Sequence, residues 1–227
     1  MSRTRPVVAI DGPAGAGKSS VSKQVAEELG FIRVDTGALY RGVALLAREQ
    51  GIAWSDGEAV ATMARNLDLR FEAAPGGAAL LIVNGRDRTS ELRTPEISEG
   101  ASEVSKHPPV RDALLGLQRA LGEGGGVVLE GRDIGTVVFP DAEVKIFLTA
   151  SVRERARRRL RDLEAQGIEA DLAQTQAAME ARDAQDSSRA VAPLRPAEDA
   201  TVVDCTDLGF GEVVARLVEL VRAHETP

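Results

Sequence analysis

Gly12-Pro13-Ala14-Gly15-Ala16-Gly17-Lys18-Ser19 fits the pattern G-x-x-x-x-G-K-[ST]. The run Val7-Val8-Ala9-Ile10 before it reads as a buried strand, and the residues after it, to Leu29, read as a helix. Strand, glycine-rich loop, Lys-Ser and helix agree on a phosphate-binding turn. Glycines let backbone amides turn toward phosphate oxygens, and the helix N-terminus adds positive potential. Lys18 can reach the β and γ phosphates, and the Ser19 hydroxyl can ligate Mg²⁺. The expected ligand is a nucleoside triphosphate, held by Gly12, Pro13, Ala14, Gly15, Ala16, Gly17, Lys18, Ser19 and Ser20. A dinucleotide-binding turn wants G-x-G-x-x-G, but Gly15-Ala16-Gly17 is followed by Lys18-Ser19-Ser20.

Outward from the loop, strands are expected over 31–34, 127–130, 144–148 and 201–204. They are short, rich in Val and Ile, and apolar on both faces, the pattern of a parallel sheet covered by helices. Helices are expected over 19–29, 38–50, 109–122, 152–166, 171–185 and 210–224. The alternation predicts a doubly wound α/β fold with ligands beyond the carboxyl ends of its strands. One region breaks the pattern. Over 68–89, short β runs joined by Pro75-Gly76 and Asn84-Gly85 predict a small inserted antiparallel sheet. Two helices, from about Pro95 and Pro109, should follow it. The glycine-rich stretch 122–126 reads as a hinge returning the chain to the core.

Composition narrows the function classes. The 227-residue chain has a net charge of −7, which argues against a general nucleic-acid binder. Cys205 is the single cysteine, so no intrachain disulfide or multi-cysteine zinc site is possible. The first residues form neither a signal peptide nor a membrane span, and the expected location is the cytoplasm. His107 and His224 have no nucleophile beside them in sequence, which disfavours serine- or cysteine-hydrolase chemistry. A GTP-dependent switch would carry N-K-x-D, yet no lysine follows either asparagine, Asn66 or Asn84.

The strand ends nominate a second ligand site. Strand two runs into Asp35-Thr36-Gly37-Ala38-Leu39-Tyr40-Arg41, where Thr36 is expected to cap the next helix and Arg41 to bind phosphate or lie on the surface. Strand three runs into Glu130-Gly131-Arg132-Asp133, where Arg132 could bind phosphate and Asp133 could accept from a base or support hydrated Mg²⁺; a structural Arg–Asp pair is the alternative. Strand four is followed by Arg153, Arg155, Arg157, Arg158, Arg159 and Arg161 on one helix. Arg155 and Arg159, one turn apart, share a face. Such a helix suggests a mobile clamp on a small polyanion, although pairs such as Arg158 with Glu154 or Asp162 are also expected. Arg182 and Asp186 are spaced as an intrahelical pair, or contact a ribose and phosphate. These pieces need no general base. A nucleoside monophosphate already presents an anionic oxygen, so alignment, charge neutralisation and exclusion of water suffice.

The chain resembles the bacterial cytidylate kinases of the nucleoside monophosphate kinase group. The resemblance is carried by 10–20, by 35–41, by Glu130-Gly131-Arg132-Asp133-Ile134-Gly135-Thr136-Val137-Val138-Phe139-Pro140, by 145–150 and by Arg182 through Leu194. It implies a P-loop kinase core (1–66 and 123–227), with a five-stranded parallel sheet flanked by helices. It also implies a helical lid at about 151–190 and an inserted monophosphate-binding domain at 67–122. It implies transfer of the γ-phosphate of ATP to CMP or dCMP with Mg²⁺. Thr36, Arg41, Ser102, Arg111, Arg132, Asp133, Arg182, Asp186 and Arg189 would then surround the acceptor. Lys18, Arg132, Asp133, Arg155 and Arg159 would be catalytic, and Arg158 would contact ATP. The expected partners are these nucleotides alone, with no nucleic acid or membrane, and the expected state is a monomer. Relatives often carry serine at position 36 and aspartate at position 130; both differences keep the polar group. Another small-molecule P-loop kinase, acting on shikimate, gluconate or thymidylate, is the alternative; the β insert and the Gly-Arg-Asp run argue against it.

Overall fold

The apolar run before the phosphate loop is strand β1 (Val7–Asp11), buried along its whole length. The computed structural model describes residues 3–73, 79–165 and 167–224. After β1 come α1 (Lys18–Leu29), β2 (Ile32–Asp35), α2 (Thr36–Glu49), α3 (Gly57–Arg65), β3 (Leu69–Ala73), β4 (Ala79–Val83), β5 (Arg86–Asp87), α4 (Pro95–Val104) and α5 (Pro108–Gly122). Then follow β6 (Val127–Gly131), β7 (Val144–Thr149), α6 (Val152–Ala165), α7 (Leu172–Ser187), β8 (Thr201–Asp204) and α8 (Phe210–Arg222). A 3₁₀ turn spans Thr89–Arg93, and a single π-helical turn spans Ile134–Val138.

The main sheet has five strands in the order β2-β6-β1-β7-β8. β1 pairs in parallel with both β6 and β7, and β7 with β8. Asp11 stands opposite Gly131, and Thr149 opposite Asp204, so these strands end at one edge. The parallel α/β sheet flanked by helices agrees with the sequence reading, as does the small antiparallel sheet β3-β4-β5.

By packing, the chain divides into two compact units, Met1–Ile32 with Gly124–Pro227, and Arg33–Glu123. The interior of the first joins Val8, Ile10, Val128, Ile146, Leu148 and Val203 of the sheet to Val25 of α1 and Leu217 of α8. α8 buries Val213, Val214, Leu217, Val218 and Val221, a stripe spaced at helical period. Each such side chain stabilises the fold by about 1.5–3 kcal/mol. At the end of the glycine stretch read as a hinge, Gly126 N–H donates to Pro6 O and Gly126 O accepts from Ile32 N–H.

The second unit has its own interior, in which α2, α3, α4 and α5 pack with β3 and β4 around Leu39, Val43, Val60, Leu81, Ile97 and Leu114. Residues 36–65, which the sequence reading places with the core, contribute α2 and α3 to this cluster. α2 is apolar almost all round, with buried residues from Ala38 to Ala47 broken only by Arg41, and such a helix belongs inside. Asn84 and Gly85, both at positive φ, turn β4 into β5 as expected from Asn-Gly. The Pro75-Gly76 turn lies outside the described residues. The cap of α2 differs from expectation. Asp35, not Thr36, is the N-cap: its extended backbone brings the carboxylate to Ala38 N–H at 3.2 Å, and Thr36 is the first helical residue.

Candidate active site

The phosphate loop leaves β1 at Gly12. A β-carbon there would lie 2.0 Å from the carbonyl oxygen of Leu148 on β7, so only glycine allows the loop to start so close to the sheet. Lys18 opens α1 and is buried, its ammonium donating to Gly12 O and Pro13 O at 2.7 Å each. Burial, then the Arg132 charge, hold this ammonium well below the ordinary lysine range, while Glu130 and Asp11 act the other way. Arg182 adds to the depression. The expected phosphate-binding cations Arg132 and Arg182 therefore both lie within electrostatic reach of Lys18.

Glu130, near the end of β6, is almost wholly buried and accepts from Ser19 Oγ at 2.8 Å and Ser22 Oγ at 3.1 Å. One carboxylate thus fixes the first turn of α1. Ser19 and Glu130 together form a hard oxygen donor set suited to Mg²⁺ beside nucleotide phosphates. Among the described residues there is no cluster of three or more His, Cys, Asp or Glu side chains that could hold a metal by itself. Sequence reasoning passed over Glu130 as a site residue. Its signal was a lone acidic residue closing an apolar strand.

Asp11, the last residue of β1, accepts from the backbone N–H groups of Ile134 and Gly135 at 2.8 Å each. It anchors the π-helical turn directly after Arg132 and Asp133, and it too was not singled out from sequence. Burial pushes its carboxyl up to about 6, against the pull of the two N–H bonds. The folded chain therefore binds this proton more tightly than the unfolded chain. The group's stabilising contribution is complete below about pH 4 and is lost as pH rises through about 6, by roughly 3 kcal/mol. Urea unfolding at pH 4 and pH 7 should show wild type losing roughly 2–3 kcal/mol more over that interval than Asp11→Asn. Parallel profiles for the two proteins would refute the assignment.

Asp186, on the last turn of α7, is the hub of the arginine cluster. Its carboxylate accepts from Arg132 Nε at 3.0 Å and from Arg189 Nη2 at 2.5 Å, and its side chain is 2% exposed. Arg132 therefore has Asp186 as an ion-pair partner, 54 residues away in sequence. Asp133 is buried beside it.

The arginine-rich helix α6 divides its side chains. Arg155, expected to close on the transferred group, is almost wholly buried and engaged with protein: Nε donates to Ala150 O at 2.9 Å, Nη1 to Ala14 O at 3.0 Å and Nη2 to Asp183 at 2.6 Å. Arg158 donates to Ala16 O at 3.2 Å, to Cys205 O at 2.8 Å and to Glu154 at 3.1 Å. Both grip carbonyls of the phosphate loop. The reason is local: a loop that turns its amides inward presents its carbonyls outward, and guanidinium forks satisfy them. Arg159, half-buried, makes no side-chain hydrogen bond or ion pair among the described residues. Arg157 and Arg161 are exposed and share Glu154 with Arg158, as the expected solvated pairs.

Four expected acceptor-site residues lie in the second unit. Arg41 pairs with the Asp35 carboxylate at 2.7 Å. Burial opposes that charge, but Arg41 and Arg33 outweigh it and hold Asp35 below its ordinary value. Thr36 is buried at the start of α2. Arg111, buried on α5, stacks over Tyr40 at 5.6 Å and donates to Ser105 O. Ser102 is half-buried on α4.

A parallel sheet bearing a G-x-x-x-x-G-K-S loop, with a lysine and arginines gathered at its carboxyl edge, defines a phosphotransferase of the P-loop kinase class. The family model for cytidylate kinase matches residues 8–223. The cytidylate kinase of Syntrophotalea carbinolica is 50% identical over 219 residues, covering 96% of this chain and 93% of that one. That of Geobacter sp. strain M21 is 52% identical over 216 residues, covering 95% and 92%. This chain belongs to the cytidylate kinase family. A solved structure of an uncharacterized protein from Eubacterium ventriosum matches at a TM-score of 0.54 and 11% identity, covering 96% of this chain and 99% of its own, and shares the fold alone. Among the described residues no helix is long and apolar enough to cross a membrane.

Proposed function

We propose that this chain transfers the γ-phosphoryl group of ATP to CMP or dCMP, giving ADP and CDP or dCDP. It would serve pyrimidine nucleotide metabolism as a cytoplasmic monomer with these nucleotides as its partners. The observation that carries the reading is Lys18, buried in the phosphate loop after β1 and held by Gly12 O and Pro13 O, with Arg132 directly after β6 and held by Asp186; Arg132 and Arg182 both lie within electrostatic reach of the lysine. Like charges gather in this way where a polyanion is to neutralise them.

In this reading the amides of 13–19 cradle the phosphates of ATP, with Ser20 just beyond them. Lys18 swings from its two carbonyls to the β and γ oxygens. Arg132 and Arg189, aimed by Asp186, receive the phosphate of the acceptor together with Arg182, and Asp133 and Asp186 accept from its base or ribose. Thr36, Arg41, Ser102 and Arg111 complete the acceptor set. Ser19, with Glu130 behind it, would hold Mg²⁺, which when bound would supply charge neutralisation on the triphosphate. The acceptor oxygen is already anionic, so the protein's part is to align it in line, screen its charge and exclude water. Arg159 and Arg158, on α6, contribute from the ATP side.

The test is a panel of nucleoside monophosphates with ATP and MgCl₂ in a coupled assay for ADP. CMP and dCMP should give the highest kcat/KM, by about 100-fold over AMP, because buried polar groups left unpaired by the wrong base are costly. Equal rates with AMP, UMP and CMP would overturn the acceptor assignment.

A further inference from the structure

Helix α7 touches the phosphate loop and the acceptor-side cluster at once. Asp183 accepts from Arg155 at 2.6 Å, and the same guanidinium donates to Ala14 O inside the loop at 3.0 Å. Met179, one turn earlier on α7, fills the space beside Gly15, where a β-carbon would lie 2.5 Å from the Met179 methyl. Three residues beyond Asp183, Asp186 holds Arg132 and Arg189. Positions 179, 183 and 186 fall on one face of the helix at spacings of four and three. Arg155 has its Nε and both terminal nitrogens engaged and its side chain is 4% exposed, so moving α7 against the loop means breaking a charge pair whose cationic half is buried.

We propose that the Arg155–Asp183 pair is a positioning device that couples the two nucleotide sites: an acceptor that orders α7 through Arg132 and Asp186 also orders the loop at Ala14–Gly15. The proposal rests on the reading of the acceptor site given above. Each nucleotide then binds more tightly when the other is present, and the coupling is equal in both directions. Arg155 and Asp183 act through the loop backbone and the helix rather than by touching the reacting atoms.

The experiment is calorimetric titration of CMP into the full chain, with and without a saturating non-hydrolysable β,γ-imido analogue of ATP and MgCl₂, and the reciprocal titration. In wild type the analogue should lower the Kd for CMP by roughly 5- to 150-fold, the usual range of such couplings. In Asp183→Asn the ratio should fall to within about twofold of unity, while the Kd of each nucleotide alone moves far less than the ratio. Asp183→Glu, which keeps the charge, should restore most of the coupling. A merely structural role for the pair would lower the melting temperature in Asp183→Asn and leave the ratio unchanged, and that result would overturn the proposal. So would a wild-type ratio of one. If wild type bound no CMP at all, the acceptor assignment would fall as well; CMP binding with no coupling sinks the coupling alone. Should Asp183→Asn not fold, Met179→Ala, which loosens the contact over Gly15 and keeps the ion pair, should reduce the ratio, and an unchanged ratio there would count against the coupling.

Discussion

Lys18→Met should lose phosphoryl transfer by about 10³-fold in kcat, while the protein stays folded and is at least as resistant to heat as wild type. The loss follows from the proposed role of the ammonium, a charge delivered to the oxygens between the β and γ phosphates, for which methionine has no substitute. The unimpaired stability follows from the site. The ammonium is buried, burial and Arg132 depress its proton affinity, and it is held by two backbone carbonyls. A lysine whose affinity is lowered in the folded chain favours the unfolded chain at neutral pH, where the unfolded lysine is fully protonated. This cost fades as pH rises toward the ordinary lysine value. A neutral side chain of similar length removes it. Single-turnover kinetics and thermal melts check the two halves separately. Turnover above a tenth of wild type would dismiss the lysine's role. A sharp fall in melting temperature would mean that its carbonyl bonds stabilise the loop more than its burial strains it.

Asp186→Ala should raise KM for CMP by about 100-fold and destabilise the chain by about 3 kcal/mol. The carboxylate is the common partner of Arg132 and Arg189. Without it two guanidiniums lose the counter-charge they share, and Arg132 loses the bond that directs it. A misplacement of about 1 Å in a phosphate-binding group is enough for an effect of this size. KM for ATP should move less, because the carbonyls and hydroxyls of the loop are held by Arg155, Arg158 and Glu130, so ATP feels the loss of Asp186 only through the coupling carried by α7. Steady-state kinetics with each nucleotide varied in turn would settle it. A KM for CMP within threefold of wild type would show that Asp186 is not the organiser of that site.

Much of this was legible along the chain, and the exceptions share a cause. The loop and β1 could be read because glycine spacing, Lys-Ser and an apolar run sit side by side in sequence. β8 matched residue for residue, since Val202 and Val203 are bounded by polar residues. α3 was missed because its buried face is Val60, Ala61, Met63 and Ala64, too rich in alanine to contrast with its surroundings. The cap of α2 went to Asp35 because neighbouring residues were both competent and only backbone angles decide between them. Glu130 meets Ser22 across 108 residues, and Asp11 meets Ile134 across 123, distances at which no local pattern speaks. The arginines of α6 were visible as a group, yet their directions were not. Periodicity says that Arg155 and Arg159 share a face, but only the packing of α6 against the loop and α7 turns Arg155 to the carbonyl of Ala14.

Among the described residues, the segment from Arg33 to Glu123 has an oily cluster of its own side chains, and the remainder of the chain has another. Heat or denaturant is under no obligation to dissolve the two together. A lesion among Leu39, Leu81 and Leu114 leaves the apolar contacts around Ile10 and Leu217 as they were, so a lone melting temperature is an incomplete measure of how this molecule comes apart.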